Sequence, residues 1–449
     1  MTLRPLLARP AGEPFAQVPL AGKSRQITVG QFCADVAVIA NQLPDGLHVV
    51  NLCQNRYAFM VVFFAVITRG QINLLPGKRE GETGQRLKNE YPQTTVVSDQ
   101  RLATDTAQAD LILVLDPGSN GQAESCTPGP DTVVAIVFTS GSTGEPQSHT
   151  KTWGMFGEWR EVHWRHVPQP PAAPALLVAT VPPWHMYGLE WAMLVPTIAP
   201  LIVHCGPDFF PRDVVSAMDE FAGACMLVTT PLHLRALTRA PATHRPLDLI
   251  VSATAPLEQS LVVAAEQHLQ STILEIYGCS EIGSLAYRLP GRASGWCFFD
   301  CFELRFGAGV VEVLHAYLHA PVPLADLFEA TGDGVYELLG RASDIVKVGG
   351  KRESLARLNG LLTSIDGVVD GLFYLPEDHD LPATGRLGAV VVAPDLSDRQ
   401  LRDTLAMRID PVFLPRPLFR ADALPRDATS KLQRAALTQL LADLSGSTG

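Results

Sequence analysis

Six consecutive residues, Thr139, Ser140, Gly141, Ser142, Thr143 and Gly144, bring two glycines and four hydroxyls to the end of an apolar run, TVVAIVFTS. Glycines permit positive φ, so successive N–H groups can face one concavity, and the hydroxyls add further donors. Donors that converge on one spot suit an anion, and the matching chemistry is a phosphate cradle. A P-loop of the form GxxxxGK[ST] is rejected, because Gly144 is followed by Glu145 and Pro146. Four more clusters of polar and glycine residues follow: SATAPL at 252–257, YGCSEIG at 277–283, YELLGRASDIVKVGGKRE at 336–353 and LPRDATSKLQR at 424–434. The second is no nucleophile elbow, since Ile282 stands where G-x-S-x-G needs its last glycine. Each cluster alone has a plain structural explanation. The loop reads as surface, Tyr277 as core, Glu281 as a solvated acid and Lys431 as a solvated base.

These clusters need a frame. A chain of 449 residues exceeds one ordinary core, and about 150 residues per domain suggests two or three domains. Nearly continuous apolar runs, HVVNLC, QINLLP, TTVVSD, DLILVLD, TVVAIVFTS, ALLVATVP, ACMLVTT, LDLIVSA and STILEIYG, alternate with helix-length segments such as VGQFCADVAVIANQL and PRDVVSAMDEFAGA. That texture predicts parallel sheets covered on both faces, an α/β architecture. After about Trp296 the strands shorten and predict a small antiparallel subdomain, and the last hundred residues predict a compact α+β unit. The charge balance, 35 basic against 46 acidic residues for a net −11, argues against nucleic-acid or anionic-membrane binding. The longest apolar run, YAFMVVFFAVI, is about half a membrane span. The start lacks the apolar core of a secretory signal, so a cytoplasmic protein is expected. Eight scattered cysteines without paired CxxC spacing are expected to be reduced thiols rather than zinc ligands.

Taken in order, the five clusters resemble the adenylate-forming superfamily of acyl- and aryl-CoA synthetases, luciferases and peptide-synthetase adenylation domains. The resemblance spans roughly residues 25 to 440. It implies a large amino-terminal core domain, 1–341, of parallel-rich sheets covered by helices with a small β subdomain. A small mobile α+β domain, 342–449, would follow. The implied reaction joins a carboxylate to the α-phosphate of ATP, releases pyrophosphate, and passes the acyl group to a pantetheine thiol of CoA or an acyl carrier protein.

By the same resemblance, residues 139–144 hold the β- and γ-phosphates. Ala253, Thr254, Ala255, Tyr277, Gly278 and Ser280 frame the nucleotide, with Tyr277 on adenine, and Glu281 holds Mg²⁺. Asp326, which precedes Arg341 by fifteen residues, fits the ribose aspartate, whereas Asp333 in the TGD triplet stands too close to that arginine and is assigned to a turn. Arg341 is a second ribose or phosphate contact. Lys431, ninety residues beyond Arg341, fits the lysine that reaches the substrate carboxylate and α-phosphate. Ser343 and Asp344 mark the hinge, Gly349 and Gly350 allow a thin pantetheine arm to approach, and Arg352 is a phosphate contact. Gln147 departs from the family's usual lysine, which leaves open whether Lys151 replaces it.

PPWHMYGLE, 182–190, corresponds to the family's acid-side segment. His185 gates the acyl pocket on this reading, with Trp184, Tyr187 and Gly188 lining it. A core histidine is the plain alternative. A weaker resemblance, to the short ligases of aryl-polyene and xanthomonadin-type pigment pathways, implies an aryl or unsaturated acid. The departures at Gln147, Ser343 and Ser430 motivate a second hypothesis, a degenerate homologue that binds nucleotide or a partner without turnover.

Overall fold

The computed structural model describes residues 4–20, 23–77, 79, 83–100, 109–119, 126–140, 146–171, 173–207, 210–240, 245–293, 295–307, 310–341, 345–375, 386–426, 432 and 434–446. The expected α/β architecture is present. The apolar runs form two large sheets whose centres are parallel. The smaller has six strands in the order Leu111–Ile112, Thr94–Ser98, His48–Asn51, Ile72–Leu75, Val133–Ser140 and Pro146–Thr152. Its first five strands pair in parallel, and Pro146–Thr152 then folds back antiparallel on Val133–Ser140, with Gln147 opposite Thr139.

The larger sheet has eleven strands. From one edge these are Asp326–Gly332, Val335–Arg341, Trp296–Phe298, Gly283–Arg288, Thr272–Cys279, Leu249–Ser252, Cys225–Thr229, Ala175–Ala179, Leu201–His204, Pro14–Leu20 and Lys23–Thr28. Strands from 326 to 341 thus extend this sheet. The separate antiparallel unit expected after Trp296 is confined to Glu303–Gly307, Val310–Leu314 and Val322–Pro323. The reason is edge geometry: Trp296 and Cys297 pair with Tyr336 and Val335, so the chain returns to the large sheet after that excursion.

The apolar run 57–67 belongs to the helix Arg56–Thr68, whose residues from Arg56 to Ile67 are all buried. Such a helix, apolar all round, is a core element. Asn55 caps its start by accepting from Ala58 N. Arg56 Nη2 donates to the carbonyls of Ala179 and Val181 at 2.8 and 3.0 Å and so ties this helix to the end of a large-sheet strand. No described helix is long and apolar enough to cross a membrane.

Beyond residue 345, a hairpin joins Ile345–Val348 to Lys351–Ser354 through Gly349 and Gly350, at φ 56° and 82°. Positive φ at both central residues is the geometry of a tight hairpin turn, which glycine adopts without strain. Helices Leu355–Thr363 and Asp398–Ala406 and the strands Asp370–Tyr374, Gly388–Val392 and Leu418–Arg420 follow, around an apolar cluster of their own that includes Leu358, Leu362, Val391, Leu401 and Leu405. Thr363 Oγ1 donates to Glu258 of the preceding part of the chain.

Candidate active site

The site is built at strand ends. Tyr277 lies near the end of Thr272–Cys279, where its ring meets Phe328 and Trp296 edge-on, at centroid distances of 5.0 and 5.9 Å. Its hydroxyl donates to Asp326 Oδ2 at 2.7 Å. Asp326 begins the edge strand and pairs in register with Arg341, so the structure brings Tyr277, Asp326 and the Arg341 backbone together. Asp333 instead occupies the turn between the two edge strands at φ 50°, exposed.

After Tyr277 the strand turns back within a few residues. The turn is tight at Gly278, where a Cβ would lie 2.4 Å from the Gly283 carbonyl oxygen. Ser280 is half-buried and Glu281 exposed at its tip. Burial and the neighbouring Glu281 push the Cys279 thiol up to about 12, so it stays neutral and its hydrogen bond reaches that carboxylate. His149, on the strand Pro146–Thr152, feels the Glu281 charge as well, but burial is the larger effect and lowers its pKa.

The segment after Leu249–Ser252 carries strain. Thr254 stands at φ 83°, an uncommon conformation for a β-branched residue, and its buried Oγ1 has no hydrogen-bond partner among the described residues. Strain of this sort persists where the surroundings enforce it, and it clusters at ligand sites. Ala253 is buried and Ala255 half-buried beside it.

In the segment expected to face the acid, His185 is half-buried and precedes the short helix Met186–Leu189 as its N-cap. The Trp184 ring packs on Phe59 at 5.9 Å, and the Arg79 guanidinium lies 4.0 Å from its centroid. Arg79 Nη2 donates to the Cys53 carbonyl at 2.9 Å, and burial lowers the guanidinium pKa to about 10. Tyr187 is turned into the core of the large sheet. It is buried among Val228, Val251 and Leu274, and its hydroxyl is spent on the Val251 carbonyl at 2.8 Å. Gly188 packs too, because a Cβ there would sit 2.2 Å from the Pro182 carbonyl oxygen. Of the four acid-side residues expected from sequence, Trp184 and His185 remain half-exposed.

Gly141, Ser142, Thr143, Gly144, Ser343, Asp344 and Lys431 lie outside the described residues, and Thr139, Ser140, Arg341 and Arg352 are described by their backbone alone. The backbone of Thr139 and Ser140 ends the strand Val133–Ser140. Ligands of open α/β sheets bind outside such strand ends.

Lys151 does not stand in for the missing lysine. It is fully buried, and its Nζ donates to the carbonyls of Glu281 and Ile282 at 2.6 and 3.2 Å, beneath the turn. Glu190, also buried, accepts from Ser284 N and Oγ at 3.0 and 2.6 Å. Burial lowers the Lys151 pKa to about 8, against the attraction of Glu190, and raises that of Glu190 to about 7. The sequence carried a signal for Glu190, a lone glutamate within YGLEWAMLVP, but none for Lys151, which stands among polar residues before the mixed helix Trp153–Arg165.

A model of the AMP-binding enzyme family matches residues 8–297, more than half of the chain. A 4-coumarate–CoA ligase of Rhodobacter capsulatus is 27% identical over 53% of this chain, which spans 59% of that relative's length. A second, from Halorhodospira halophila, is 27% identical over 66% of this chain and 74% of its own length. The O-succinylbenzoate coenzyme A synthetase of Bacillus subtilis, solved with AMP, superposes with a TM-score of 0.80 over 97% of this chain and 98% of its own, at 17% identity. A fold shared across nearly the whole length, and a family pattern that ends just beyond the Tyr277–Gly283 turn, make this chain a member of the adenylate-forming AMP-binding enzyme family.

Proposed function

We propose that the protein activates a carboxylic acid, of the aryl or unsaturated type, as an acyl-adenylate and passes it to the thiol of CoA or of a phosphopantetheinyl carrier protein. The observation that carries this reading is the Tyr277–Asp326 bond, which sets an aromatic ring and a carboxylate side by side at the strand end next to Glu281. A ring face suits adenine, and a carboxylate can accept protons from both ribose hydroxyls. A carboxylate oxygen of the acid attacks the α-phosphorus of ATP, the bond to the bridging oxygen breaks, and pyrophosphate leaves. The thiol then adds to the acyl carbon, loses its proton, and expels AMP.

Crowding these anions together calls for donors and cations placed where charge develops. We assign the donors to residues 139–144 and the cation to Lys431, carried by residues 342–449. Among the described residues no group of three or more His, Cys, Asp or Glu could hold a metal. One exposed carboxylate, Glu281, nevertheless fits Mg²⁺, which is commonly held by one or two carboxylates with the substrate's phosphates. Bound there, the ion would neutralise phosphate charge. The half-exposed Trp184, backed by Phe59, supports a planar acid.

The test is ATP–pyrophosphate exchange against aryl, cinnamyl and fatty acids, with Lys431→Ala in parallel. Exchange with one acid class that the variant loses supports adenylation and identifies the substrate class. ATP binding with no exchange for any acid would replace the proposal with the degenerate binding protein.

A further inference from the structure

The turn from Glu281 to Ser284 is gripped from beneath by two buried charged residues. Lys151 donates to the carbonyl oxygens of residues 281 and 282, while Glu190 accepts the amide and hydroxyl of Ser284. Trp191 Nε1 adds a third hold, donating to Ser284 Oγ at 3.1 Å. Glu190 opens a stretch of π-helix, Glu190–Leu194, a geometry frequent at functional sites. Gly283 makes room for the arrangement. It stands at φ 128°, and a Cβ there would fall 2.0 Å from Glu190 Oε1 and 3.1 Å from Trp159.

Each charge is matched to the backbone pole it meets, the cation to carbonyls and the anion to an amide. Two buried opposite charges that form no direct ion pair with each other are weak evidence for stability, because desolvation opposes their attraction. Their contacts here are with the backbone and hydroxyl of the turn. With 281, 282 and 284 held on one side, the Glu281 carboxylate is left exposed on the other.

We propose that Lys151 and Glu190 are positioning residues that fix the backbone of the turn, and through it the direction in which Glu281 presents its carboxylate to a metal–nucleotide complex. The inference rests on the reading of Glu281 as the metal carboxylate, and it touches neither the base nor the ribose.

The experiment titrates the full chain by calorimetry with ATP, with and without Mg²⁺, and with AMP. The variants are Lys151→Met, the double variant Lys151→Met/Glu190→Gln and, for the underlying reading, Glu281→Gln. The double variant buries no charge, so it tests the idea even if the single one unfolds. Partners that orient a metal ligand typically contribute about 10- to 100-fold in metal affinity, so the Mg²⁺-dependent gain in ATP affinity is expected to fall by that factor while AMP affinity stays within about twofold. A double variant that binds AMP normally and keeps the whole gain, while Glu281→Gln loses it, overturns the clamp and leaves Glu281 in its role. If Glu281→Gln itself keeps the gain, the role of Glu281 fails, and the clamp with it. A double variant that loses AMP and ATP binding alike would make the pair a core element of the fold and overturn the proposal too.

Discussion

Replacing Asp326 with Asn separates two aspartates seven residues apart in sequence. Asp326 sits at the start of the edge strand, where one carboxylate oxygen accepts from the Tyr277 hydroxyl at 2.7 Å. Asn keeps the shape and exchanges one acceptor oxygen for a donor nitrogen. On the proposed ribose role, the charge and at least one charge-assisted hydrogen bond to a ribose hydroxyl are lost, a difference of about 1.5–3 kcal/mol. At about 1.4 kcal/mol per decade, AMP affinity falls about 10- to 150-fold. Asp333→Asn is the contrast. That residue is exposed in a turn at φ 50°, a conformation Asn adopts readily, so AMP affinity is expected within about twofold of the parent. Calorimetric titration with AMP reads both variants, and the KM for ATP in the exchange assay should follow. Tyr277→Phe removes the hydroxyl alone and should cost less than Asp326→Asn. A large loss at Asp333 with none at Asp326 would refute the assignment and return the ribose to the TGD triplet.

The stacked pair His163–Trp191, 5.3 Å between centroids, buries an imidazole whose pKa burial lowers to about 3. Below about pH 6.5 the unfolded chain takes up a proton that the folded chain refuses, so stability falls on acidification by up to about 1.4 kcal/mol per pH unit. Urea unfolding of His163→Phe between pH 6 and 4 should show a shallower loss, and an unchanged slope would count against this. Tyr57→Phe removes the hydroxyl that donates to buried Asp35 at 2.6 Å, leaving the donors Gly118 N and Ser119 N in place. A loss of about 1.5–3 kcal/mol in denaturant stability, with AMP affinity unchanged, is expected. Trp184→Ala takes away the ring under Arg79 and beside Phe59 and should raise the KM for an aromatic acid by about tenfold, from about 1–2 kcal/mol of lost aromatic contact. Equal KM values for the acid in parent and variant would place the pocket elsewhere.

The central strands of both sheets follow from composition alone. Runs such as ALLVATVP and LDLIVSA are apolar on both faces, and a strand buried on both faces has few other ways to fold. The order of the five polar clusters likewise reads along the chain, whereas the choice of Asp326 over Asp333 came from the spacing to Arg341 that the family resemblance implies. Most of what escaped was polar or short, although the seven-residue PFAQVPL was missed as well. KSRQIT and PQSHTKT are edge or return strands with an exposed face, and LIVH is only four residues long, so composition gave each no distinct pattern. DLILVLD, read as a full strand, pairs only through Leu111–Ile112 at the sheet edge. Tyr187 looked like a pocket residue until the packing of its ring and the Val251 carbonyl claimed it. The convergence of Lys151 and Glu190 on residues 281–284 was decided by tertiary structure alone. Each charge lies in a different element and is tolerated in the interior only because distant backbone groups of opposite polarity are folded against it.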